Sequence, residues 1–108
     1  MTANLLHPLP DARGGERFET LLTRPGVRVE RIVSHGQATP QDAPYCQPHD
    51  EWVLLLAGRA RLWIAGAGET MLRPGDQRLI PAHAAHRVTW TAPDEATVWL
   101  ALHFGEEG

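Results

Sequence analysis

The sequence predicts an all-β fold in a single domain, and three features carry that reading. Its apolar residues fall in short segments, those segments alternate with a period of two, and glycine- and proline-rich turn signals separate them. No stretch carries a helical apolar stripe longer than about two turns. A chain of 108 residues suits one domain and leaves no room for two independent cores.

Taken in order, residues 1–15 hold His7, Pro8, Pro10, Gly14 and Gly15 without a sustained period, so they read as an N-terminal arm or loop. Residues 16–108 form the barrel domain. Phe18 to Thr23 and Val27 to Ser34 flank Arg24-Pro25-Gly26, and proline followed by glycine fits a type II turn. Phe18 to Leu22 is also compatible with one turn of helix. Residues 36–44 are polar and contain two prolines, which makes them a loop. Glu51 to Leu56 is strongly apolar and stops at Gly58. Arg59 to Ile64 alternates, with Ala60, Leu62 and Ile64 on one face and Arg61 and Trp63 on the other. Ala65-Gly66-Ala67-Gly68 reads as a hairpin, and Arg73-Pro74-Gly75-Asp76 as a further turn. Strands over Gln77 to Ile80, Arg87 to Thr91 and Thr97 to Phe104 complete the set. Short strands at this close spacing predict a sandwich or barrel.

Composition narrows the function. A formal charge of −3 argues against a protein that tracks nucleic-acid phosphates, which needs a dense basic face. Cys46 is the single cysteine, so no intramolecular disulfide forms. The N-terminus lacks a basic, apolar, small-residue leader, and no apolar run reaches the length of a bilayer. The expectation is a cytoplasmic protein with neither a membrane nor a nucleic-acid partner. No Ser-His-Asp ordering, glycine-rich phosphate loop or CxxC pair is present.

The chemistry concentrates around residue 50. Tyr45, Gln47, His49 and Glu51 share one parity, so an extended backbone points all four to one face, on condition that Pro48 does not turn the chain. A histidine and a carboxylate two residues apart on one face can ligate one ion. With a third ligand from a distant strand, the set suits non-haem Fe(II) or catalytic zinc.

Two motifs supply that third ligand through a resemblance. Glu51 is followed by six residues and Gly58, and Gly75 by five residues, Pro81 and then His86. In order and spacing these resemble the two halves of the signature of small single-domain cupins of the RmlC-like type. The resemblance implies a cupin jelly-roll β-barrel, also called a double-stranded β-helix. It implies one divalent transition metal (Fe, Zn, Mn or Ni), with Glu51 and His86 as ligands. Metal-binding members carry His-x-His before the glutamate; Tyr45 and Gln47 stand in those places here, and His49 falls in the adjoining turn. Local geometry adds His49 and Gln47 to the candidate ligands. Tyr45, Val53, Trp90 and His103 are candidates for contact with a substrate. His103, opposite in parity to Leu100, Leu102 and Phe104, either reaches the interior or stays at an edge.

Two functional classes follow. One is a metal-dependent enzyme of dioxygenase or isomerase type acting on a small organic ligand. The other is a metal-free barrel that binds or senses such a ligand, with Gln47, Glu51 and His86 set between apolar walls such as Val53, Leu55 and Val88. Trp52, Leu54 and Leu56 have the opposite parity to Glu51 and form an apolar outer face, from which a homodimer is expected.

Overall fold

The computed structural model describes residues 2–105; residue 1 of the arm and residues 106–108 of the barrel lie outside the described residues. Eight strands follow in order: β1 (Arg17–Arg24), β2 (Val27–Ser34), β3 (Asp50–Ala57), β4 (Ala60–Ile64), β5 (Gly68–Leu72), β6 (Gln77–Ile80), β7 (His86–Thr91) and β8 (Thr97–Phe104). The segment around Phe18 is strand, not a turn of helix. They form a five-stranded sheet ordered β1-β2-β8-β3-β6 and a three-stranded sheet ordered β5-β4-β7, with every pairing antiparallel.

The alternation in the sequence sorts residues between the inside and the outside of this sandwich. Val53 and Leu55 of β3, Ala60, Leu62 and Ile64 of β4, and Trp99 and Ala101 of β8 are all buried in one cluster, which Leu72 and Ile80 join. At about 25 cal/mol per Å² of apolar surface removed from water, this cluster is the main source of stability.

A second, smaller cluster lies outside the large sheet. Ala12 of the arm packs there on Val33 and Val98, with Leu9, Leu56, Ala57 and Ala96 around them. The arm is tied down by Arg31, whose guanidinium donates to the Leu5 carbonyl at 3.1 Å, and by the Gln37 side-chain amide donating to the Ala12 carbonyl at 2.6 Å. Leu56, on the apolar outer face read from the sequence, is therefore covered in part by the chain's own arm.

Two turns show why glycine is placed where it is. Pro25-Gly26 joins β1 to β2, and Gly26 has φ 78°, the left-handed value that the third position of a type II turn requires. Gly58, between β3 and β4, has φ 85° and runs against β8: a Cβ there would lie 2.6 Å from Thr97 Cα.

One end of the sandwich is polar and the other is not. On β3 the inward residues run Glu51, Val53, Leu55, and the antiparallel register sets them opposite His103, Ala101 and Trp99 of β8. On β2 the corresponding series is Arg28, Glu30, Ile32, with Arg28 opposite His103. His86 begins β7 at that same end, opposite Ile64. Four strands thus deliver their ionisable residues to one mouth and their apolar residues to the floor below it.

Candidate functional site

The mouth opens on a cavity of about 250 Å³, just below the usual range for small-molecule pockets. Its floor is apolar, built from Ile32, Val53, Leu62, Ile80, Val88 and Trp99. Its walls carry Glu16, Glu30, Glu51, Arg28, His86 and His103, while Phe18 and Tyr45 stand at the rim with Gln47 and Thr39.

His86 is fixed from two directions. Its backbone exchanges hydrogen bonds with Tyr45, N to O at 2.8 and 2.9 Å, and the two rings stack with centroids 5.7 Å apart. Its Nδ1 lies 3.1 Å from the Ala84 carbonyl, an acceptor, so Nδ1 carries a proton, and in the neutral form of the ring Nε2 presents a lone pair. That Nε2 makes no hydrogen bond among the described residues; it faces Glu51 Oε1 across 3.8 Å. Both residues are deeply buried, His86 at 5% exposure and Glu51 at 7%. Glu51 Oε1 accepts a hydrogen bond from the Gln47 amide at 2.8 Å.

His103 is inside the barrel rather than at an edge, with 4% exposure. Its Nε2 donates to Glu30 at 3.3 Å, which leaves Nδ1 to accept from His49 Nε2 at 2.9 Å. Glu30 also pairs with Arg28 at 3.2 Å. The His103 hydrogen bond, with the nearby positive charge of Arg28, holds the Glu30 carboxyl below its ordinary value against the opposing effect of burial.

This shift carries a prediction. Because the folded-state pKa of Glu30 is depressed, its stabilisation is complete above about pH 4.5 and is lost as pH falls through the folded value. Glu30→Gln is expected to unfold at a lower temperature than wild type at pH 7, with a smaller gap at pH 3. Thermal melts at the two pH values check this, and a gap that does not change with pH would refute it.

Several sequence expectations meet the structure as follows. Tyr45, Gln47, Glu51, Val53, His86 and His103 line the cavity. His49 does not: the chain bends at Pro48 and His49, the common parity breaks, and the ring reaches His103 from outside the lining. Trp90 does not either. A bulge in β7 pairs Arg61 with Trp90 and the next residue, Leu62, with Val88, leaving Thr89 as the extra residue. The bulge turns Trp90 outward, where the guanidinium groups of Arg59 and Arg61 lie 5.6 and 5.9 Å from its ring centroid. Leu55 belongs to the sealed core below the cavity. Cys46 is a free, exposed cysteine. His83 holds the turn before His86 with φ 68°, a left-handed conformation at the position where the family motif has glycine.

The sequence reading missed Arg28, Glu30, Glu16, Phe18 and Trp99. Arg28 and Glu30 share one parity with Ile32 on β2, and in the structure Ile32 packs into the core.

The donor set falls short of what a resident metal ion requires. Among the described residues, no group of three or more His, Cys, Asp or Glu side chains is arranged to hold one. The reason is specific. Both ring nitrogens of His103 are engaged, by His49 and Glu30. Gln47 offers only a neutral amide, already turned toward Glu51. His103 Nδ1 also lies 4.0 Å from Glu51 Oε1, but with His49 on that nitrogen only Glu51 and His86 are left as uncommitted convergent donors, whereas catalytic metal sites use three protein ligands. The arrangement does not fit a resident divalent metal.

Comparison with known proteins places the fold in a family. The cupin domain profile matches residues 30–103, and the chain belongs to the cupin family. A Ralstonia eutropha protein that carries a provisional description as a mannose-6-phosphate isomerase is 42% identical, with a TM-score of 0.91 over 98% of this chain and 99% of that one. A Thermus thermophilus protein superposes with a TM-score of 0.81 at 17% identity, covering 98% of each chain. A DMSP lyase from Ruegeria pomeroyi matches at 20% identity with a TM-score of 0.71, over 84% of this chain and 47% of the lyase. No curated protein matches the sequence. Among the described residues, no helix is long and apolar enough to cross a membrane.

Proposed function

We propose that this cupin binds a small organic molecule in its barrel and moves a proton on it, as an isomerase or lyase does, with Glu51 and His86 as the acid–base pair. One observation carries the reading: a buried carboxylate and a bare imidazole nitrogen face each other across 3.8 Å at the head of an apolar-floored cavity, with no donor between them. A ligand C–H, O–H or N–H placed there lies within reach of both groups. One group takes the proton and the protonated group returns it, so no net charge is left on the protein. Gln47 positions the carboxylate, and Tyr45 holds the His86 ring by stacking and by backbone pairing.

The test joins elemental analysis with solvent-exchange NMR. Purified protein and a His86→Ala variant are analysed for transition metals after identical preparation. Both are then incubated in D₂O with a panel of small carbonyl compounds. The expected result is far less than one metal per chain in either sample, with deuterium entering the carbon next to a carbonyl only with wild type. About one metal per chain, lost in the variant, would replace this reading with a metal-dependent one.

A further inference from the structure

The cavity is negatively charged, and the imbalance indicates what fills it. Among the described residues, three carboxylates, Glu16, Glu30 and Glu51, line it against the single guanidinium of Arg28. Glu30 is already paired with Arg28 and His103, and Glu16 accepts from the Ser34 hydroxyl at 2.6 Å. Glu51 is the exception. Its hydrogen-bond partner is a neutral amide, and beside it the Nε2 of a histidine that is more than nine-tenths buried points into the cavity without a hydrogen bond. With the His86 ring in its neutral form, two acceptors face one another and no side-chain donor of the described residues fills the gap. The imidazoles of His86 and His103, 3.8 and 4.0 Å from Glu51 Oε1, are its nearest possible counter-charges, and a bound cation would relieve the remaining cost of burying the carboxylate.

Aromatic surface completes the picture. Phe18, Tyr45 and Trp99 border the same space, and aromatic faces attract organic cations at close range. Burial first, and then the charges of Glu16, Glu51 and Glu30, push the Tyr45 phenol above its ordinary value. A sugar phosphate suits this chemistry poorly, because the guanidinium in the cavity is held by Glu30.

Resting on the small-molecule reading above, we infer that the ligand is a small organic ammonium ion whose N–H groups bridge Glu51 Oε1 and His86 Nε2 and whose carbon chain lies on the floor formed by Val53, Val88 and Trp99.

The test uses three probes of matched length and different charge: butylammonium, butanol and butyrate, with mannose 6-phosphate as a fourth. Each is titrated into the full chain at pH 7 while the amide signals of Val53, Val88 and His103 are followed by NMR. Butylammonium is expected to bind at least tenfold more tightly than butanol, and butyrate and the sugar phosphate more weakly still. Glu51→Gln is expected to weaken butylammonium about tenfold and Glu16→Gln a few-fold, while Glu95→Gln on the outer surface changes nothing. Equal affinity for butylammonium and butanol, or a preference for either anion, would overturn the inference and leave the small-molecule barrel intact. Silence of all four probes would overturn it too, and failure of the deuterium experiment beside that silence would remove the broader reading as well.

Discussion

Gly58→Ala is expected to destabilise the protein by about 3–4 kcal/mol, from roughly 1–2 for a left-handed backbone at a residue with a side chain and roughly 1–3 for forced overpacking. For a domain of this length that corresponds to a fall in Tm of about 15–25 °C. The backbone part follows from φ 85°, and the steric part from the nearness of Thr97 Cα and the Ala96 carbonyl, 2.6 and 2.7 Å from the position a Cβ would take. Backbone atoms of a paired strand cannot swing aside as a side-chain tip can. Gly66→Ala separates the two contributions, since Gly66 has φ 84° and nothing within 4 Å of its would-be Cβ. Its expected cost is the backbone part alone. Circular-dichroism melts of the two variants decide the matter, and equal losses would show that contact with β8 contributes nothing.

The second large effect is at the cavity floor. Trp99→Ala is expected to cost about 3–5 kcal/mol, the range for removing a large aromatic from a core. Trp99 is 4% exposed, is paired in register with Leu55, and touches both the sealed core and the open cavity. The strands around it are held by hydrogen bonds, so the vacated volume cannot close. Trp99→Phe, which keeps a ring in place, is expected to lose less than half as much. Urea unfolding of both variants measures the difference; a loss below about 1.5 kcal/mol for the alanine variant would mean that the floor collapses to fill the gap.

Much of the fold was legible because its signals are local. Proline-glycine at 25–26, the glycine-alanine repeat at 65–68 and the alternation of β4 each state a turn or a strand within a few residues. Glu51 and His86 were legible through motif spacing. What sequence reasoning lost was set by tertiary geometry. Arg28 and Glu30 alternate with Val27, Val29 and Val33, a pattern in which the charged side reads as a solvent face. Only the pairing of β2 with β8 shows that this side meets His103. Trp90 was misplaced by a single inserted residue in β7, and His49 by a bend at Pro48, because a shift of one residue reverses every side chain beyond it. The engagement of His103 with both His49 and Glu30, which bears on the donor set for a metal, joins residues more than fifty positions apart.

The strand beside the mouth has a consequence of its own. β1 is the edge of the five-stranded sheet, every one of its residues is exposed, and its register slips between Thr20 and Leu22. The opposite rim is pinned by the paired backbones of Tyr45 and His86. The two sides of the entrance therefore differ in their cost of opening: few buried contacts resist a local parting of β1 from β2, whereas the Tyr45 side moves only with the core. If the cavity holds a small molecule, fraying of this edge beside Phe18 is the expected way in and out, and the residence time would then follow the opening of β1 as well as the grip of the floor.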